Sequence, residues 1–228
     1  MEEPTTHEIA THWRLNGERY EKHGENLAAA KSYEKAAKAL SYEGDEALGY
    51  LNQAAINYRL AGDGRFDDPY WVKAHELFDR VIAEAQEGEL RNRARRDKAM
   101  LYVEEERYDE AEKLLSAARG EYDASYNWVE FWCTRGFEAR VFYAQGKHAL
   151  AREHLHSADH GLRGKHDLYE LNNLVWLMKV VNPIHRQQLL CRALRLAVRT
   201  GYRRRAAEAL LIAISPRLYD RVLRAKRG

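Results

Sequence analysis

The stretch that decides the fold is residues 13–36, WRLNGERYEKHGENLAAAKSYEKA. Gly24 lies near its middle and separates two sets of residues. Large residues fill the space between two helices, and small residues allow their backbones to approach closely. The stretch therefore predicts two helices joined by a turn at Gly24. Each set has i, i+4, i+7 spacing, which places it on one face of a helix: Trp13, Gly17 and Tyr20, then Ala29, Tyr33 and Ala36.

The rest of the chain contains imperfect copies of this spacing. A second pair is longer by an insertion at residues 63–69, and a fourth pair begins early with several aromatic residues, which we expect to pack between helices. Recurrence at intervals of 20–50 residues indicates a stacked array of helix pairs. The repeated positions are Ala55, Tyr58, Gly62, Ala74, Phe78 and Val81; then Ala99, Tyr102, Ala111, Leu115 and Ala118; then Ala139, Phe142, Gly146, Ala151, Leu155 and Ala158.

This pattern resembles the tetratricopeptide repeat (TPR), whose signature is W-x2-L-G-x2-Y followed by A-x3-F. The first copy reads Trp13-x2-Asn16-Gly17-x2-Tyr20 and then Ala29-x3-Tyr33. It departs from the family at Asn16, where the family has Leu, and at Ser41, where it usually has Pro. The resemblance implies an all-α fold: a right-handed superhelix, or α-solenoid, of about five to six antiparallel helix hairpins.

The predicted organisation has three parts. Residues 1–8 form a short polar tail. Residues 9–165 form TPR-like pairs at about 9–43, 48–88, 90–125 and 126–165, and residues 166–228 form two degenerate hairpins with a basic C-terminal cap. Asp68-Pro69 and Asn182-Pro183 are predicted helix starts, and Gly120 is predicted to end the third pair.

Composition favours a cytoplasmic, non-catalytic protein. The N-terminus has no secretory leader pattern and no run approaches the length of a membrane span. Cys133 and Cys191 fit no metal-ligand spacing, and we expect unpaired, buried thiols. No nucleotide-binding, metalloprotease or nucleophile motif is present. His156 and His160 are i, i+4 on one predicted helix but lack a fixed third ligand, so we predict no metal and no cofactor.

In TPR proteins the inner wall of the array is built mainly from first helices and is the usual ligand surface. The resemblance therefore implies a groove for a protein or peptide segment. Guanidinium groups suit carboxylates, and some family members hold a terminal carboxylate in this wall. We therefore expect an acidic or C-terminal segment, although Glu18 and Asp97 stand where such a clamp has other residues. The predicted groove residues are Arg14, Asn52, Gln53, Ile56, Arg59, Arg93, Arg96, Met100, Phe137, Arg140 and Tyr143.

The basic C-terminal segment supports an alternative. Residues 183–228 carry 12 Lys and Arg against 2 Asp and Glu, although the net charge of the chain is only +2. Such stripes suit phosphate contacts, so a nucleic-acid-associated protein is the alternative hypothesis. The same arginines could instead hold an acidic protein or another copy of the chain. They are Arg192, Arg195, Arg199, Arg203, Arg204, Arg205, Arg217, Arg221 and Arg224.

Overall fold

The computed structural model describes residues 4–62, 67–216 and 219, with the backbone alone at 203 and 204. These residues form eleven α-helices and no strand, which confirms the all-α class. The helices are α1 (Thr6–His23), α2 (Asn26–Ala39), α3 (Gly44–Ala61), α4 (Pro69–Glu84), α5 (Gly88–Glu104), α6 (Tyr108–Ala124), α7 (Trp128–Ala144), α8 (His148–Leu162), α9 (Asp167–Val180), α10 (Pro183–Thr200) and α11 (Arg203–Ile214).

The chain divides into two compact units, Met1–Arg107 and Tyr108–Gly228. Helices α1 to α5 form the first unit and helices α6 to α11 form the second. Within each unit every helix packs against the next, and the first helices of neighbouring hairpins also touch, α3 against α5 and α7 against α9. The unit boundary falls between α5 and α6, inside the third predicted helix pair.

Side-chain caps set the starts of five of the described helices, α1, α4, α7, α9 and α10. At Thr5 and Glu8 a capping box forms, in which the Thr5 N–H donates to the Glu8 carboxylate at 2.8 Å and the Glu8 N–H donates to Thr5 Oγ1. Helix α1 therefore begins at Thr6, and the last part of the predicted tail is helical. Asp68 and Asn182 cap α4 and α10, each followed by proline, as predicted.

Gly120 does not end a helix, contrary to the prediction. Helix α6 continues to Ala124 because Tyr122, only 2% exposed, extends the buried face beyond Gly120. A Cβ built at Gly120 would meet open space. Burial of the next turn thus overrides the local preference of glycine for a helix end. Gly24 and Gly201 are left-handed C-caps, and left-handed Gly146 follows the C-cap of α7.

The predicted packing positions form the cores of the hairpins. Sixteen of the repeated small and large residues are buried, and the alanines among them are fully so. At Gly17, a Cβ would lie 2.9 Å from the Tyr33 ring, which itself is buried. The buried set is Ala29, Tyr33, Ala36, Ala55, Tyr58, Ala74, Phe78, Val81, Ala99, Ala111, Leu115, Ala118, Ala139, Ala151, Leu155 and Ala158.

Two expectations about buried side chains are wrong in part. Cys133 is buried, but Cys191 is exposed; both are free thiols. The aromatic residues at the start of α7 do not all pack between helices. Trp132 covers Gly161, whereas Tyr126 is 76% exposed and Trp128 is 44% exposed.

Among the helices that the structure describes, none is long and apolar enough to cross a bilayer.

The contact at Gly17 gives a test of the register. Replacing Gly17 by Ala should lower the free energy of unfolding, since overpacking a core costs about 1–3 kcal/mol and exceeds the gain in helix propensity. Gly120→Ala is the matched control: in open space within α6 it should raise stability by up to about 1 kcal/mol. Urea unfolding of both variants would measure the difference. Equal stabilisation by both substitutions would mean that α1 and α2 do not pack through Gly17.

Candidate functional site

The structure places the predicted groove residues on first helices of both units. In the first unit they lie on α1, α3 and α5, and in the second on α7. They divide into three local environments: a polar cluster between α3 and α5, an ion pair on α1, and a group of aromatic and cationic side chains on α7.

The polar cluster between α3 and α5 is centred on Asp97. Asn52, 1% exposed, donates from Nδ2 to the Asp97 carboxylate at 3.2 Å and so links the two helices. The guanidinium groups of Arg59 on α3 and of Arg93 and Arg96 on α5 also interact electrostatically with this carboxylate. Arg96 is buried, whereas Arg93 is partly exposed and also donates to Glu89 at 2.8 Å.

Two opposing effects act on the pKa of the Asp97 carboxylate. Burial raises its pKa, and the charges of Arg59 and Arg96, with the Asn52 hydrogen bond, act in the opposite direction without fully compensating. The cluster thus contains three guanidinium groups around one half-buried carboxylate. Such donors can recognise carboxylates in fork geometry.

The remaining predicted residues of the first unit are Gln53, Ile56, Met100 and Arg14. Gln53 and Ile56 are half-buried on α3, and Met100 is 8% exposed on α5. Arg14 forms an ion pair with Glu18 on α1. The structure therefore brings together the predicted residues of α3 and α5 and places Arg14 in a separate pair.

In the second unit, Arg140 joins the predicted aromatic residues. Its guanidinium lies 4.3 Å from the Phe137 ring centroid and 5.2 Å from that of Trp176 on α9. Tyr143 meets Trp176 edge to face, with centroids 5.7 Å apart. Lys179 Nζ lies 4.1 Å from the Trp176 centroid. These are cation–π and aromatic contacts between the first helices α7 and α9.

Sequence reasoning missed part of this group. Trp176 and Lys179 lie on α9, and Tyr219, whose ring centroid is 4.5 Å from Lys179 Nζ, lies further along the chain. The repeat spacing fades after residue 165, so no register pointed to these positions. The i, i+3 spacing of Trp176 and Lys179 was the one available signal, because it places both on one helix face.

The predicted polyanion residues that the structure describes are mostly paired inside the second unit. Arg192 donates from Nε to Glu170 at 2.7 Å and from Nη1 to Asp159 at 3.0 Å, and both carboxylates are buried. Arg199 pairs with Asp167, Arg205 pairs with Glu208, and exposed Arg195 donates to the Cys191 carbonyl. Outside the described side chains lie Arg203, Arg204, Arg217, Arg221 and Arg224.

Another buried carboxylate, that of Glu138, contacts side chains of α6, α7 and α8. It accepts from Arg119 Nε at 2.7 Å and from Arg135 Nη1 at 3.2 Å, and His154 Nδ1 lies 3.3 Å away. Burial raises the pKa of Glu138, but the His154 hydrogen bond and the Arg119 charge outweigh it, so the pKa lies below its ordinary value. A cleft of about 500 Å³ opens beside this cluster, lined by Asp109, Glu112, Lys113, Ser116, Arg119, Arg135, Glu138, Phe142 and His154.

No group of three or more His, Cys, Asp or Glu side chains in the described part of the chain could hold a metal ion. His156 and His160, considered above for their spacing, are both exposed on α8.

Comparison with solved structures identifies the fold. The chain is similar to the crystal structure of a Rap protein complexed with competence and sporulation factor, with a TM-score of 0.67 and 14% sequence identity over 99% of this chain and 71% of that chain. At this identity the likeness shows the fold alone. The chain therefore has the TPR-like, α-solenoid type of fold that the sequence predicts.

No protein-family model matches the chain, and no curated protein matches it.

The pairing of Arg192 predicts a structural role for this arginine. Arg192→Gln would leave Asp159 and Glu170 without their guanidinium, and breaking a buried pair typically costs about 3–5 kcal/mol. Arg195→Gln, an exposed change on the same helix, should alter stability by no more than about 0.5 kcal/mol. Urea unfolding would compare the two variants. Similar midpoints would show that Arg192 does not hold α8, α9 and α10 together.

The lowered pKa of Glu138 predicts a pH-dependent stability term. A carboxyl whose pKa is lower in the folded state stabilises the fold above its unfolded pKa of about 4.3, and this contribution is lost as the pH falls through the folded pKa. The melting temperature of the parent should therefore exceed that of Glu138→Gln most at neutral pH, and the gap should narrow in acid. Exposed Glu153→Gln is the control. A gap that does not change with pH would contradict the assignment.

Proposed function

We propose that this protein is a non-catalytic, TPR-like scaffold that binds a segment of a partner protein or a peptide on the inner faces of its first helices. The main support is that Arg59 on α3 and Arg93 and Arg96 on α5 all interact electrostatically with the Asp97 carboxylate, which Asn52 binds at 3.2 Å. The similarity in fold to a Rap protein that was solved in complex with a factor supports a binding role over a catalytic one.

The chemistry of the α3–α5 cluster favours an acidic ligand. Guanidinium groups donate paired hydrogen bonds to carboxylates, and such bonds are about twice as strong as neutral ones. Arg93 is partly exposed, so a ligand could reach it, and its pair with Glu89 is a surface pair of the kind worth about 0–1 kcal/mol. The half-buried side chains of Gln53 and Ile56 supply amide and apolar contacts nearby on α3.

The aromatic group in the second unit offers a different contact. Phe137, Tyr143 and Trp176 are half-buried and stand beside the cations of Arg140 and Lys179. Aromatic and Arg side chains are enriched among the residues that dominate binding energy at interfaces. We therefore propose that this face of the second unit also contacts a protein segment.

Nucleic acid remains the alternative ligand, with less support. Arg192, Arg199 and Arg205 are engaged by Asp159, Glu170, Asp167 and Glu208, so these cations are partly neutralised within the protein.

A peptide-binding assay tests the proposal. Short synthetic peptides that are rich in Glu and end in a free carboxylate should bind more tightly than their Gln-containing, amidated counterparts, as measured by fluorescence anisotropy. Arg93→Glu should weaken that binding roughly 30-fold, the equivalent of a hot spot of about 2 kcal/mol. Arg140→Gln should weaken binding of longer peptides that carry aromatic residues.

The control is Lys38→Glu, which makes the same charge change at an exposed position on a second helix, α2. It should bind like the parent, and all variants should keep the parent's helical circular dichroism. Equal weakening by Lys38→Glu would indicate a long-range charge effect without a groove. Labelled single-stranded and duplex DNA belong in the same assay, and tight, salt-sensitive DNA binding with no peptide binding would favour the alternative.

A further inference from the structure

Asp97 has an unusual position within the proposed groove. It lies on a first helix among the residues that would contact a ligand, and its side chain bears the chemical group that the ligand is proposed to present. Asn52 binds it from α3 at 3.2 Å, and the cations of Arg59, Arg93 and Arg96 interact with it electrostatically. A carboxylate accepts about four hydrogen bonds, so one side chain can engage several of these donors at once.

Burial disfavours the ionised carboxylate of Asp97 despite its cationic neighbours. It raises the pKa of Asp97, and the neighbouring charges do not fully compensate. Asp97 is half-buried, so part of the residue is in contact with solvent.

We propose that Asp97 is an internal competitor for the acidic ligand of this groove. In the free protein its carboxylate accepts from Asn52 and interacts electrostatically with Arg59, Arg93 and Arg96, and a ligand carboxylate binds by taking its place as Asp97 turns away. This inference rests on the proposed function. It makes Asp97 a determinant of specificity, because a ligand must bind the arginines better than a tethered carboxylate does.

The alternative is that Asp97 is a fixed structural partner of the arginines. In that case removal of its charge would leave buried cations uncompensated, and an acidic ligand would gain nothing. The two possibilities predict opposite changes in affinity, so substitution of this one side chain separates them.

The first experiment measures binding of the Glu-rich peptide with a free carboxylate. Asp97→Asn keeps the side-chain volume and removes the charge, and it should raise the affinity about tenfold, a typical coupling for a close charge pair. Glu89→Gln is the control, since it removes the exposed carboxylate that pairs with Arg93. It should change affinity by much less.

The second experiment does not need the peptide. Asp97→Ala opens space beside the guanidinium groups, and acetate should then replace the missing carboxylate. We expect acetate to raise the melting temperature of Asp97→Ala more than that of the parent or of Glu89→Ala, with chloride at equal ionic strength as the reference. Because each variant is compared with itself in acetate and in chloride, the test can be made even if Asp97→Ala is less stable than the parent.

The outcomes are distinct. Tighter peptide binding by Asp97→Asn together with acetate stabilisation of Asp97→Ala supports the inference. If the parent binds the peptide through Arg93 but Asp97→Asn binds equally or more weakly, the inference is wrong and the proposed function stands. Absence of acetate stabilisation also overturns the inference. If neither the parent nor any variant binds acidic peptides, the proposed function itself fails, and the inference fails with it.

Discussion

The close approach of the two helices in each hairpin is the constraint on which the rest of the structure depends. An aromatic ring lies directly on bare backbone at three of these contacts: Tyr33 against Gly17, Trp71 against Gly62, and Trp132 against Gly161, where a Cβ would come within 2.3 Å of the ring. Such contacts exist in one register only, because a shift of one residue would put a side chain into the ring. They therefore fix the rotation of each helix about its axis, and so decide which side chains of a first helix face the neighbouring first helix.

The fixed rotation explains why polar clusters form between first helices. The faces of α3 and α5 that meet carry Asn52 and Asp97, and buried polar groups need partners. Between α1 and α3, Glu21 has the same role, since it accepts from Asn57 at 2.5 Å and from Tyr33 Oη at 3.1 Å. Each cluster links neighbouring helices and concentrates hydrogen-bonding groups between them. The polar groups that pack α3 against α5 are thus also the ones that we propose for ligand binding.

The sequence predicts the fold well because hairpin packing is local. The spacing of Ala29, Tyr33 and Ala36 is visible within one helix, and the same holds for the helix starts at Asp68 and Asn182. The site is less predictable because its partners are distant in sequence: Asn52 and Asp97 are 45 residues apart. Trp176 and Lys179 escaped prediction because the repeat register fades before α9. Gly120 was misjudged because burial of Tyr122, a tertiary effect, decides where α6 ends.

Charge counted along the chain is therefore a poor guide to charge presented to a ligand. Arg93 and Glu89 are four residues apart, and their pairing can be read from the sequence. Arg192 instead meets Glu170 and Asp159, 22 and 33 residues away, so its positive charge is compensated by helices outside the basic segment. Part of the excess charge after Pro183 thus serves to join α8, α9 and α10. In the α3–α5 cluster, by contrast, three guanidinium groups interact electrostatically with one carboxylate, that of Asp97. Arg192 is fixed between two buried carboxylates, whereas Arg93 in the α3–α5 cluster is partly exposed and can be reached from solvent.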